Sequence, residues 1–388
     1  MKNYLLSIKE LEELVKRRFG VAIIGCGIIS LEHVKAYQAF SEQCEIKAVC
    51  DLLPEKASKL ANFIGGNVRV YTDFKEVISR EDIDIVSICT PPFAHKEAVI
   101  AAFTAGKHVL CEKPLAASLA DCDEMIEVAT KNNRKLAVSF QYRYRQDFNK
   151  MKHILNRGSL ERVTFGQLNG LYWRGKSYYE VDWRGKWNTE CGGVTINHEI
   201  HMLDIFLWLM GEVESVSAEI ETVLHDIEVE DVSMAVLRFS NGAIGQVNGT
   251  VSSVIGDVSM SISGENKGVS FPLKYHALIE NDGGFPIQDQ QGIEELEKVA
   301  NEIEVGTSDH RGPVGDLLQA IISDEDPIVN GIEARKVIEV ITAIYKSATQ
   351  GKRVYLPIDK NDPWYSTTGL QRLVKKGKQN SLPTEQSG

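Results

Sequence analysis

The sequence predicts an α/β chain: a doubly wound parallel sheet followed by an α+β region with a large, mostly antiparallel open sheet. Two patterns carry this reading. From residue 19 to about 141, short apolar runs alternate with helix-compatible segments, the order expected of parallel strands joined by crossover helices. Beyond residue 230 the runs lengthen and alternate apolar with polar, and Asn241-Gly242 joins two of them, a strong hairpin signal. With 388 residues the chain is long enough for two domains with separate cores.

Taken in order, residues 1–18 carry Leu5, Ile8, Leu11, Leu14 and Val15 at helical spacing among Lys and Glu, an amphipathic helix ahead of the first strand. Residues 21–24 are an apolar strand that stops at Gly25-Cys26-Gly27, and a helix begins near Ile28. Strand, G-x-G turn and helix form a dinucleotide cradle: the first glycine permits the turn and the second lets a pyrophosphate approach the helix N-terminus. Ser30 replaces the third glycine of the full fingerprint, and a glycine-rich βα turn of another α/β protein remains the alternative on this stretch alone. The strand 45–50 ends in Asp51, near the usual place of a ribose-binding carboxylate.

A helix starts at Pro54, a strand covers 68–71, and a helix starts at Asp73. The strand 83–89 runs into Thr90-Pro91-Pro92, a helix spans 95–106, and the strand 107–111 leads to Glu112-Lys113-Pro114. The strand 135–141 closes the first domain (19–141). A second domain covers 142–357: a helix at 146–155, an aromatic glycine-dotted segment (172–187), antiparallel strands (232–240, 243–250, 259–264, 268–273), helices near 293–300, 314–322 and 332–350, and a final strand at 353–357. Residues 358–388 read as a polar tail, extended or disordered in part, with Lys375-Lys376-Gly377-Lys378 a solvated run.

Composition narrows the partners. Net charge is −11, so counterion release on nucleic acid offers this chain nothing. No stretch is long enough for a membrane span, and Arg17-Arg18 belongs to the approach to the first strand rather than to an export signal. The seven cysteines are odd in number, contain no C-x-x-C pair and lie mostly in apolar runs, which predicts reduced thiols and a cytoplasmic location.

Further stretches resemble one family. Gly25-Cys26-Gly27, Thr90-Pro91-Pro92 with His95, Glu112-Lys113-Pro114, Gln141-Tyr142-Arg143, and the run from Gly192 through Asn197, His198 and His201 to Asp204 together closely resemble the glucose–fructose oxidoreductase/inositol dehydrogenase (Gfo/Idh/MocA) family, from about residue 18 to 357. The resemblance implies a Rossmann-type first domain binding a nicotinamide dinucleotide. It implies a second domain whose open sheet closes a sugar or polyol site and makes homo-oligomer contacts, in a dimer or tetramer. It also implies a cis bond before Pro114, Lys113 beside the nicotinamide and His201 as proton acceptor. Many inositol dehydrogenase relatives carry aspartate where this chain has Asn197, which weakens an inositol assignment more than it weakens catalysis.

The expected function is therefore NAD(H)-dependent hydride transfer at a secondary alcohol of a sugar, inositol or sugar derivative. The catalytic set is Lys113, His201 and Asn197. Cofactor contacts fall on Gly25, Cys26, Gly27, Ile28, Ile29, Asp51, Thr90, Pro91, His95, Glu112 and Lys113. Asp51 disfavours a 2′-phosphate, and Leu52-Leu53 offers no arginine to hold one, so NAD is expected over NADP. Tyr142, Arg143, Tyr172, Trp183, Arg184 and His198 are candidates for the sugar pocket, or for domain packing. His310 either faces the site or starts a helix. His198 and His201 are three apart rather than four, which argues against a zinc helix, and no metal is expected. Two alternatives keep the same fold: redox-assisted glycoside cleavage, with the cofactor staying catalytic, and a dinucleotide-binding sensor without turnover.

Overall fold

The structure, a computed structural model, describes residues 18–304 and 309–377. The expected N-terminal helix falls on residues outside the described ones. The chain divides into two compact units, one built from residues 1–149 and 304–336, the other from 150–303 and 337–388.

The first unit is a six-stranded parallel sheet of β1 (Phe19–Ile24), β2 (Cys44–Cys50), β3 (Arg69–Tyr71), β4 (Ile85–Ile88), β5 (His108–Cys111) and β6 (Leu136–Val138), in the order β3-β2-β1-β4-β5-β6. This is the dinucleotide-binding order, with its switch point between β1 and β4. Every residue of β1 and β4 is buried, as expected for central strands covered on both faces. The crossovers are α1 (Ser30–Ala39), α2 (Pro54–Ile64), α3 (Phe74–Ile78), α4 (His95–Thr104) and α5 (Leu119–Lys131), and α6 (Gln146–Asn156) follows β6. Their starts are encoded locally: Pro54 sits in the first turn of α2, the Asp73 carboxylate accepts the Lys75 N–H at α3, and Ser118 Oγ accepts the Asp121 N–H at α5. Helix α5 is not among the helices expected from the sequence.

Residues 304–336, which follow all but the last strand of the second domain's sheet in the sequence, group with the first unit. The segment 304–336 returns to the first unit because its helix, Arg311–Ser323, buries Val314, Leu317 and Leu318 in one cluster with Val21 and Ile23 of β1 and Val34 and Tyr37 of α1. Val138 N–H donates to the Val329 carbonyl at 2.9 Å and Ala137 bridges Asn330, so this segment also extends the edge of β6.

The second unit is a nine-stranded sheet of β7 (Phe165–Trp173), β8 (Val213–Glu221), β9 (Val232–Phe239), β10 (Ile244–Thr250), β11 (Ser252–Ser263), β12 (Lys267–Phe271), β13 (Lys274–Glu280), β14 (Pro286–Gln288) and β15 (Val354–Tyr355). Its order is β14-β13-β12-β11-β7-β10-β9-β8-β15. Only the β7–β10 pair is parallel. The β9–β10 hairpin turns at Asn241-Gly242 as its sequence predicts. The central β7, and β8, were not singled out.

Helix α7 (Ile200–Met210) lies on this sheet where two glycine pairs face each other across β7 and β10, Gly166–Gly245 and Gly170–Gly249. A Cβ at Gly166 would meet Phe206 at 2.8 Å, and one at Gly249 would fall on Glu199. The absent side chains are what allow this close approach. Toward the C-terminus, the part of the polar tail that the structure describes is folded. A helix spans Thr367–Leu373, Trp364, Tyr365, Leu370 and Val374 are buried, and Lys375 pairs with Glu221 at 2.7 Å. Scattered apolar residues in a polar stretch dock here without any local periodicity to announce them. Residues 378–388 lie outside the described ones. All seven cysteines are free thiols, and no described helix is long and apolar enough to cross a membrane.

Candidate functional site

In the first unit the cradle is built at the switch point. Gly25 has φ +90°, and a Cβ there would come within 2.7 Å of the Cys89 backbone, so only glycine fits. A Cβ at Gly27 would meet nothing within 4 Å: the loop is open on the side from which a pyrophosphate approaches. The N–H groups of Gly27, Ile28 and Ile29 make no hydrogen bond among the described residues, and they head straight into α1. The side chain of Asp51, just past β2, accepts the N–H of Cys26 at 2.8 Å and of Leu53 at 2.9 Å, fixing both oxygens beside the loop. Ile28 and Leu52 are exposed next to it, apolar surface suited to covering an adenine. These residues fit a dinucleotide. Cys26 is not a reactive thiol: burial, with Asp51 nearby, pushes its pKa up to about 12.

The second part of this unit surrounds Lys113. Its peptide bond to Pro114 is cis. The preceding Glu112 is buried and accepts from His33 Nε2 at 2.8 Å, while Glu112 Oε2 accepts the Lys113 N–H at 3.2 Å. His33 Nδ1 is 2.7 Å from Ser87 Oγ, so a Ser87–His33–Glu112 chain links β4, α1 and the loop after β5. His310 Nε2 stands 3.6 Å from Glu112, which places this histidine against the same carboxylate as well as at a helix start. Burial opposes the charge on Glu112, yet its imidazole partners and the neighbouring Lys113 charge hold its carboxyl well below the usual range. His95 is buried and spans the carbonyls of Thr90 and Pro114, both at 2.9 Å, tying the loop after β4 to the loop after β5. Desolvation lowers its pKa. Pro91 opens the short turn before α4. Tyr142 stacks on Phe148, and Arg143 is buried with its guanidinium 3.5 Å from Glu333.

In the second unit Asn197 and His198 lie on a π-helical turn, Thr195–Glu199, that runs into α7 and His201. Turns of this type occur mostly as local widenings, often at functional sites. On a regular helix the spacing of Asn197, His201 and Asp204 would put all three on one face. Asn197 and His201 are half-buried, but Asp204 is fully buried. The turn is anchored by Glu230, which accepts from Gly193 N–H (2.9 Å), Thr195 N–H (3.1 Å) and Tyr345 O–H (3.0 Å). Asn197 donates its amide to the Gly192 carbonyl at 2.9 Å, which fixes the amide orientation. Tyr172 and His198 have ring centroids 6.0 Å apart, and the Arg184 guanidinium lies 5.1 Å from the Trp183 ring. Two elements went unnoticed in the sequence: His33, although it closes the glycine motif, and the clustering of Arg174 and Tyr178 with the other aromatics.

Glu199 is the anomaly of this element. It is fully buried over Gly170 and Gly249, and neither carboxylate oxygen has a hydrogen-bond partner among the described residues. Burial, with Glu230 nearby, raises its pKa well above the ordinary value. The folded chain thus keeps a proton that the unfolded chain releases above about pH 4.3. Stability should fall with rising pH across that window, by up to about 1.4 kcal/mol per pH unit. Glu199→Gln should flatten the dependence and stabilise the protein at pH 7, as read by urea unfolding between pH 5 and 8. An unchanged slope would show that Glu199 is ionised in the fold.

Residues 19–140 match the model of the oxidoreductase family, NAD-binding Rossmann fold, and residues 152–356 match that of its C-terminal alpha/beta domain. The chain belongs to the Gfo/Idh/MocA oxidoreductase family. Among its relatives is an inositol 2-dehydrogenase of Salmonella paratyphi B, 28% identical over 49% of this chain and 54% of the relative. The chain thus matches about half the length of that relative. A D-glucoside 3-dehydrogenase of Escherichia coli is 28% identical over 87% of this chain and 97% of the relative. The WlbA dehydrogenase of Bordetella pertussis, solved in complex with NADH and UDP-GlcNAcA, aligns with a TM-score of 0.77 at 26% identity, covering 88% of this chain and all of that one. Within the Gfo/Idh/MocA fold, NAD belongs to the first unit, where the cradle at Gly25–Gly27 and Asp51 fits it.

Proposed function

We propose that this Gfo/Idh/MocA protein is an NAD(H)-dependent dehydrogenase acting on a secondary alcohol of a sugar, inositol or sugar derivative. The observation that carries the reading is Lys113, whose backbone N–H is held by the buried Glu112 just past the carboxyl end of β5. Nicotinamide, when bound, accepts or returns the hydride. The chain's own residues handle the proton. His201 accepts the hydroxyl proton, since an alcohol is far too weak an acid to lose it unaided. Lys113, as a cation, stabilises the developing alkoxide. Asn197 orients the substrate. The names of the relatives, an inositol dehydrogenase and a glucoside dehydrogenase, favour this substrate class. Incubating the protein with NAD and a panel of inositols, free sugars, glycosides and sugar nucleotides tests it. Accumulating NADH supports the dehydrogenase. Product without NADH would mean redox-assisted cleavage, and no turnover a sensor.

Asp51 sets the cofactor preference in this reading. Fluorescence titration should show NADH binding more tightly than NADPH, and Asp51→Ala should narrow the gap by relieving repulsion of the 2′-phosphate. Tighter NADPH binding by the unaltered protein would remove that role.

The open face of the sheet supports assembly with further copies of the chain. Along β9 the outward positions Met234 and Val236 are 56% and 49% exposed, whereas Ala235 and Leu237 are buried. Met234→Lys with Val236→Lys should reduce the mass measured by light scattering from oligomer to protomer, and an unchanged mass would exclude this face. The seven free thiols accord with a cytoplasmic setting.

A further inference from the structure

In the second unit, Arg174 and Arg184 have no carboxylate partner among the described residues. Arg174 directly follows β7, and its guanidinium carbon lies 5.8 Å from the Tyr172 ring centroid and 5.4 Å from that of Tyr178. The Arg184 guanidinium sits 3.5 Å over the same Tyr178 ring. His198 belongs to the group as well, with its ring 5.4 Å from Tyr178.

Arg174 Nη1 donates to the Trp173 carbonyl at 2.9 Å, and Arg184 Nη1 reaches the Tyr178 carbonyl at 3.4 Å. Arg184 Nε is buried with no acceptor. The neighbouring acids are engaged by backbone. Glu190 accepts the Gly185 N–H, and Asp231 accepts the N–H groups of Val223, Leu224 and His225. Two half-buried like charges around one ring repel each other, and a buried guanidinium N–H without an acceptor is costly. An anion between them removes both penalties, and the planar forks of arginine match a carboxylate or a phosphate.

We propose that the substrate carries an anionic group, a carboxylate or a phosphate, which Arg174 and Arg184 bind beside Tyr178. This rests on the dehydrogenase reading of Asn197 and His201, since His198 adjoins Asn197 in the chain and joins the arginine cluster.

The test is calorimetric titration of the NADH-loaded protein with glucose, glucuronate and a glucose phosphate, and with the corresponding galactose and mannose series. In at least one series an anionic member should bind about tenfold or more tightly than the neutral sugar, and whether it is the uronate or the phosphate identifies the anion. Added salt should shrink the preference. Arg174→Gln and Arg184→Gln should each abolish most of it, with NADH affinity retained. Neutral sugars binding as tightly as both anions in every series would overturn the proposal. So would arginine variants that weaken neutral and anionic ligands alike. If anions bind preferentially but none of them reduces NAD, the dehydrogenase reading fails and the anion site stands. If neutral sugars are oxidised while the anions stay inert, the dehydrogenase reading stands and the anion site fails.

Discussion

His201→Ala is expected to lower turnover by about 10²–10⁴, the usual cost of losing a general base. NADH affinity should be nearly unchanged, because the cradle at Gly25–Gly27 and Asp51 belongs to the other unit. The loss should reach kcat as well as kcat/KM, because the proton leaves only as the alcohol reacts. The fall in rate toward low pH, where the imidazole is protonated, should disappear from the residual activity. Lys113→Ala is expected to cost a similar factor for a different reason: the alkoxide would lose its counter-charge, and the pH profile would keep its shape. Asn197→Ala should raise KM more than it lowers kcat. Near-normal turnover of His201→Ala with an unaltered pH optimum would remove His201 as the base and make Lys113, in its deprotonated form, the next candidate.

The second large effect is expected at His33. Glu112 is buried, its pKa is held low, and His33 is its short hydrogen-bond partner at 2.8 Å. His33→Ala removes the short partner of that carboxylate and leaves it His310 and the Lys113 N–H, and breaking one side of a buried pair costs up to about 3–5 kcal/mol. Urea unfolding should register this directly. His33→Gln, which can still donate to Glu112, should recover a large part of the stability and of the activity, because the Lys113 backbone hangs on the same carboxylate. The pH signature is opposite in sign to that of Glu199. A depressed carboxyl pKa contributes stability above the unfolded value, about pH 4.3, and that contribution fades as pH falls toward the folded value. The variant should therefore lose most at pH 7 and little in acid. Equal stability of His33→Ala and the unaltered protein at pH 7 would mean that Glu112 is neutral in the fold.

The first unit's architecture was largely legible because its determinants are local. Apolar runs mark the strands, Pro54 and Asp73 mark helix starts, and Gly25 is obligatory where the chain turns. What escaped depends on partners distant in sequence. Val314, Leu317 and Leu318 look like any amphipathic helix, and nothing nearby says that they belong against β1. The tail residues Trp364 and Leu370 are too sparse to form a period. In the candidate site, the motif residues stand out in the sequence, but the network behind them does not. His33 and Glu112 are far apart in the chain and meet only because β1, β4 and β5 lie side by side. The π-helical turn also has no local signature: Glu230 and the glycines of β7 and β10 impose it from outside.

The return of residues 304–336 to the first unit has a consequence for how the chain is made. A ribosome releases residues 1–149 long before the helix that completes their core. At about 5–20 residues per second, the missing piece follows roughly 10–40 s later. Until then, the apolar groove that receives Val314, Leu317 and Leu318 is bare, although every strand of the sheet has already been synthesised. The nascent nucleotide-binding half must wait, incomplete and adhesive, while eight of the nine strands of the second sheet are threaded out.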